Sequence, residues 1–306
     1  MPPLVAGIVL KIASTIAFAF MVTAIKAASA DIPAGEVLFA RSFFGIVPVI
    51  IYLVWIGEFP ASLATRNPFG HVRRSLVGTL SMFTWFTGIA HLPLPDATAI
   101  SYSGPLFGVC FAALLLGEKV RAFRWTAVFV GFVGVLIVLS EQVSDLGFSG
   151  PRAFGAACSL ASAVLGALAA VTIRSLTATE TTGSIVFYFS LSGTVFSLLT
   201  LPAGWVVPTP GLAGLMVLAG LLGGVGQVLM TQSYRLAEAS IIAPFDYINM
   251  IWIVLLSFMV FGDVPSLTVV FGSLVVIASG VFVIWRESRL GLLEAKARQR
   301  GALPPV

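Results

Sequence analysis

The chain has 306 residues, of which 58% are hydrophobic and only 10% charged, and its mean hydropathy is +1.04. A soluble domain carries roughly 25% charge, so a water-soluble globule is excluded and the chain reads as an integral membrane protein. The formal net charge of +4 sits in loops and at the C-terminus, which fits membrane topology better than nucleic-acid binding, while Cys110 and Cys158 lie in apolar runs and offer neither a disulfide framework nor a metal site.

Ten apolar runs mark candidate spans, at about 4–25, 37–56, 75–90, 97–116, 125–140, 153–173, 184–206, 212–233, 239–261 and 266–285. Spans 3 and 5 read as short, because Arg74 to His91 and Arg124 to Glu141 each enclose 16 residues, where a crossing needs roughly 20. The first run is followed by Ala28-Ser29-Ala30, in the spacing of a signal-peptide cleavage site. It lacks a basic n-region, is interrupted by Lys11 and has a counterpart later in the chain, so it is retained as span 1. With the N-terminus inside, 13 Lys and Arg residues fall in cytoplasmic connections and two, Lys26 and Arg152, on the other side. This asymmetry puts both termini in the cytoplasm and the chain in the inner, cytoplasmic membrane.

The chain matches itself at offsets of 142 to 148 residues. Ala13-Ser14 and Ile25-Lys26 correspond to Ala161-Ser162 and Ile173-Arg174, Asp96-Ala97 to Glu238-Ala239, Gly117-Glu118 to Gly262-Asp263, and Gly134-Val135 to Gly280-Val281. Each half holds five spans, and an odd number inverts the second half relative to the first. The expected fold is therefore an all-α membrane protein of ten transmembrane helices in two inverted five-helix repeats, residues 1–146 and 147–288, followed by a basic cytoplasmic tail, 289–306.

Ten spans in two halves, Gly117-Glu118 closing span 4, Gly262-Asp263 closing span 9, Arg41 early in span 2 and Gly131-Phe132-Val133-Gly134-Val135 in span 5 together resemble the drug/metabolite transporter superfamily, EamA type. The resemblance covers nearly the whole chain. It implies a central cavity lined by spans 1, 3, 4, 6, 8 and 9, with spans 5 and 10 peripheral, and cargo such as amino acids, related metabolites, riboflavin or S-adenosylmethionine. Small multidrug-resistance relatives carry a glutamate in their first helix. Span 1 here has Lys11 and no acid, which speaks against export of lipophilic cations.

Small residues four apart, as in Ala13-x3-Ala17, Gly155-x3-Ser159 and Gly220-x3-Gly224, are expected to let helices approach closely. Gly223, Gly224 and Gly226 are expected to leave room beside a ligand. Pro105 and Pro244 interrupt spans 4 and 9 and free the carbonyls of Ser101 and Ser240, either for a lined cavity or for a kink satisfied by nearby hydroxyls. Polar groups gather around these prolines, and the candidate substrate-binding residues are Trp85, Ser101, Tyr102, Gln227, Asp246 and Asn249. Asp246 has three readings: it holds the ammonium of an amino-acid-like substrate, carries a coupling proton, or is an acid satisfied within the protein. Lys11 is expected to snorkel to the interface, Arg41 to pair with Glu36 or anchor at the surface, and His91 to lie at the interface.

These residues point to a secondary transporter that moves a small metabolite, an amino acid or related compound, by alternating access in the export direction. The alternatives are uptake of a vitamin or nucleoside-like metabolite and an intramembrane enzyme. The last lacks a G-x-S-x-G elbow and an H-E-x-x-H pair, since the chain has only His71 and His91. No cofactor, metal or nucleic-acid partner is expected. The partners are a small-molecule substrate and the lipid bilayer, and no motif encodes the oligomeric state.

Overall fold

The computed structural model describes residues 2–115, 122–143, 150–176, 179–236 and 243–299, and among these it is helical, with no strand. The α-helices are α1 (Pro3–Ala28), α2 (Ala34–Trp55), α3 (Pro68–His91), α4 (Leu94–Ser101), α5 (Gly104–Leu115), α6 (Ala122–Val143), α7 (Pro151–Leu176), α8 (Thr182–Leu198), α9 (Pro210–Leu236), α10 (Asn249–Phe261) and α11 (Leu267–Gln299). Taking α4 and α5 as one interrupted crossing, six segments are long and apolar enough to span a bilayer, and three shorter apolar helices lie at Gly183–Leu198, Phe245–Phe261 and Leu267–Val283. With α3 this matches ten crossings. The surface is correspondingly apolar, with Trp55, Phe129, Leu136 and Ile51 all more than 60% exposed.

Neither span 3 nor span 5 is short: α3 has 24 residues and α6 has 22. Asn67 caps α3 by accepting from the Gly70 amide at 2.9 Å, and Pro68 takes the first helical position. The helix thus begins before His71, Arg73 and Arg74. Its first turns carry charge before the apolar run begins, and α6 likewise extends past Arg124 and Glu141 at its two ends.

The main packing pairs are α1 on α9, α3 on α7, α6 on α11, and α2 on both α8 and α9. Close approach depends on missing side chains. A Cβ on Gly88 of α3 would lie 3.1 Å from the Gly155 carbonyl of α7, and Cβ atoms on Gly134 and Gly272 would meet each other's carbonyl at 2.9 and 2.8 Å. The Gly220-x3-Gly224 pair meets Ala40, Phe44, Gly45 and Pro48 of α2. The glycines expected to leave room for a ligand are instead filled by protein: Gly223 by Met21 and Arg41, Gly224 by Gly45 and Pro48, and Gly226 by Phe18.

Spans 4 and 9 are both broken. Pro105 has no N–H to continue the helix, so the chain turns at Tyr102 and Ser103 before resuming at Gly104, and the hydroxyls of Ser101 and Ser103 donate to the carbonyls of Thr98 and Ile100 at 2.8 and 2.7 Å. In span 9 a 3₁₀ turn, Ala243–Ile248, contains Pro244 and feeds α10. Glu238, Ser240 and Ile242, like Gly117-Glu118, lie outside the described residues. α10 ends on Gly262, whose φ of +73° forms a left-handed cap with its amide on the Phe258 carbonyl, and this accounts for the Gly in Gly262-Asp263. α11 runs on unbroken from span 10 through the expected tail to Gln299.

Candidate functional site

α1 packs against α9, α10 and the 3₁₀ turn of span 9, so the inward face of α1 meets the broken helix. On that face Lys11 is 0% exposed, and its Nζ lies 2.6 Å from Asp246 Oδ1. Lys11 therefore does not snorkel. The stem points into the protein, where a carboxylate stands on the neighbouring element, and the exchange of water for that partner is the favourable outcome at depth. The pair is asymmetric: the Asp246 side chain keeps 48% of its surface accessible while Lys11 has none. One carboxylate oxygen is thus held by the lysine, and the rest of the group stays accessible.

Tyr102, at the break of span 4, donates its hydroxyl to the Asp246 carbonyl at 3.4 Å, and its ring meets that of Tyr247 edge to face at 5.2 Å between centroids. The two interrupted helices therefore touch at their breaks. A Cβ on Gly280 of α11 would collide with the Tyr247 hydroxyl, so α11 gives up a side chain to seat that ring. Asn249 Oδ1 and Trp252 Nε1 of α10, and Thr98 Oγ1 of α4, are buried without hydrogen-bond partners, an unusual state for buried polar atoms. Of the six residues expected at the site, Tyr102, Asp246 and Asn249 come together here. Ser101 is adjacent but spends its hydroxyl on Thr98. Trp85 is half-buried against the apolar core, and Gln227 is half-buried on α9. Lys11 is an addition.

A second charged cluster lies where α2, α3 and α8 meet. Arg41 and Arg74 are 6% and 8% exposed, and their guanidinium carbons stand 5.9 and 4.1 Å from the centroid of the Phe189 ring. Arg41 does not pair with Glu36. Five residues along a helix turn about 140° away, and Glu36 instead accepts from the Val206 amide at 3.0 Å. A desolvated cation–π contact contributes about 2 kcal/mol, whereas burying an ion costs several. One phenyl ring therefore does not offset two guanidiniums.

His91 is exposed, with Nδ1 2.9 Å from the Thr87 carbonyl and its ring edge-on to Phe154. In the loop between α7 and α8, Glu180 is also enclosed, with 2% of its side chain exposed. Burial pushes its carboxyl up, but this is outweighed by the Arg66 amide donating at 2.8 Å, by the His71 ring with Nε2 3.3 Å away, by Thr65 Oγ1 donating at 3.1 Å and by the Asn67 amide donating at 2.8 Å, which hold it down to about 2. Among the described residues no group of His, Cys, Asp and Glu side chains is arranged to hold a metal.

Residues 5–140 match the EamA-like transporter family. The chain is 32% identical over 275 residues to the pseudopaline exporter CntI of Pseudomonas aeruginosa (strain UCBPP-PA14), covering 89% of this chain and 94% of the relative. It is 31% identical over 230 residues to a riboflavin transporter of Rhizobium johnstonii, covering 75% and 74%. It is 26% identical over 254 residues to an S-adenosylmethionine uptake transporter of Rickettsia bellii (strain RML369-C), covering 83% and 84%. A solved crystal structure superposes with a TM-score of 0.66 at 19% identity, covering 93% of this chain and 98% of the other, and shows the fold.

Proposed function

Since the chain belongs to the EamA-like transporter family, we propose that it exports an amino-acid-like metabolite across the cytoplasmic membrane by alternating access, with Asp246 as the group that binds the cargo. The observation that carries this reading is the asymmetry of the buried pair. Lys11 is wholly enclosed, while the Asp246 side chain is half accessible at the break of span 9. A substrate ammonium arriving there meets a carboxylate that already holds one cation, and a charge-assisted contact forms on its accessible side. Tyr102 and Tyr247 supply aromatic walls, and Asn249 Oδ1 is an unused acceptor. Export follows the pseudopaline exporter, which aligns over nearly its whole length. The uptake names of other relatives keep the opposite direction as the second reading.

Two features support an inverted repeat. Advancing each span by five exchanges the α1–α9 pairing with the α3–α7 pairing and returns α2–α8 and α6–α11 to themselves. The two broken helices, spans 4 and 9, also correspond under this shift, as expected of a binding site at the interface between repeats. The charge asymmetry of the loops supports cytoplasmic termini.

The test is metabolite flux in sealed vesicles. Asp246→Asn combined with Lys11→Met removes the charge pair without stranding either partner, and should insert and fold yet lose most flux. Flux equal to wild type in the double variant would remove Asp246 from the transport step. Comparing metabolites in cells and medium, with and without the gene, fixes direction: accumulation in the medium is the export result.

A further inference from the structure

Arg41 and Arg74 have no part in the reading above. Both are more than nine-tenths buried, and among the described residues neither lies within ion-pair distance of a carboxylate. Their surroundings leave Arg41 Nε, Arg74 Nε and Nη1, and Thr79 Oγ1 without any hydrogen-bond partner. Every one of these atoms can donate. The neighbouring acid on this side, Glu180, is engaged by Arg66, Asn67, Thr65, Ser184 and His71 and does not reach the pair. The helices also give up side chains where the cluster sits. A Cβ on Gly78 would collide with Arg74 Nη1, one on Gly223 would come within 3.2 Å of Arg41 Nε, and one on Gly193 would lie 2.6 Å from Ser42 Oγ and 3.7 Å from Thr79 Oγ1.

Two like charges on one ring, ringed by unused donors and lacking an acid, call for an anion. We propose that Arg41 and Arg74 form an oxyanion site that takes a carboxylate group of the transported molecule. The guanidinium fork matches a planar carboxylate through two parallel hydrogen bonds, which an ammonium or a halide ion does not exploit. The site is separate from Asp246. Arg41 and Met21 flank Gly223 together, and Met21 lies ten residues beyond Lys11 on α1, about 15 Å along the axis. Cargo with a cationic and an anionic end would therefore engage two stations. The assignment to cargo rests on the transport reading, whereas the anion chemistry does not.

The experiment is thermal unfolding of the full-length protein in lipid nanodiscs with sodium succinate, its neutral diamide, sodium phosphate or sodium chloride at matched ionic strength. Succinate should raise the melting temperature above the chloride and diamide values. The succinate dissociation constant should rise about tenfold or more in Arg41→Gln and in Arg74→Gln, and stay unchanged in the Lys11→Met/Asp246→Asn double variant. Without added anion, Arg74→Gln should melt above wild type, because it removes an unpaired buried charge, where loss of a packing residue would lower it. Succinate and chloride acting alike, phosphate alone acting, or a succinate shift that survives both substitutions would overturn the proposal. If a Gln variant fails to fold, the wild-type comparison of succinate with the diamide still decides. The flux test of the double variant is independent, so failure of the transport reading leaves the succinate result standing.

Discussion

Lys11 and Arg41 are both cations buried within spans, yet their surroundings are opposite. Lys11 has a carboxylate at 2.6 Å, while Arg41 shares a phenyl ring with another cation. The paired site is one whose charge is settled within the protein on one side and open on the other. The unpaired site carries its cost in the empty state. Both patterns fit the binding roles proposed for them, since ionised groups at membrane depth persist only when something compensates them.

The comparison is broken most forcefully by removing one member of the pair. Asp246→Asn removes the carboxylate 2.6 Å from an enclosed ammonium and should cost up to about 3–5 kcal/mol, read as a loss of melting temperature in nanodiscs. Lys11→Met should cost clearly less, because the Asp246 carboxylate is already half accessible and can hydrate. Equal losses would mean that the exposure asymmetry has no energetic meaning.

Neutral packing provides the next contrast. Gly88→Ala places a Cβ against the Ser159 hydroxyl and the Gly155 carbonyl, and should destabilise by about 1–3 kcal/mol, with no dependence on added anion. Smaller again is Tyr102→Phe, which removes one long hydrogen bond to the Asp246 carbonyl and should cost about 0.5–1.5 kcal/mol. Its flux should nevertheless fall below that of Trp55→Phe, at a site 83% exposed. Flux equal in these two variants would separate Tyr102 from the site.

The spans were legible because apolar runs of the required length leave few alternatives, and the broken helices were legible through Pro105 and Pro244. The charged sites were not, and the reason is specific. A charge beside an apolar run marks a span end in a sequence, whereas Arg74 lies in the second turn of α3 and is buried. Lys11, near the start of its helix, was assigned to the interface because a single sequence does not say which face meets span 9. Lys11 and Asp246 lie at opposite ends of the chain, and only the packing of α1 on the 3₁₀ turn joins them. Arg41 and Glu36 were paired by proximity in sequence, but their spacing turns them to different faces.

Glu180 sharpens the comparison from the other sign. It is an enclosed anion satisfied mainly by neutral donors, including the amides of Arg66 and Asn67 that it ties to the α7–α8 loop. Its folded pKa of about 2 lies below the ordinary 4.5. The ionised form is therefore favoured in the folded state, and its contribution is fully present above 4.5 and lost as pH falls towards 2. Glu180→Gln keeps the shape and can leave its one carbonyl oxygen on the two amides, but it removes the charge and turns an NH2 group towards Ser184 and His71. It should lower the melting temperature at pH 7, and the gap to wild type should narrow steadily as pH falls below 4.5. Arg74→Gln should show no such narrowing, since a guanidinium does not titrate in that range. A gap for Glu180→Gln that is the same at pH 7 and at pH 3 would mean that its charge contributes nothing, and that the loop is held by shape alone.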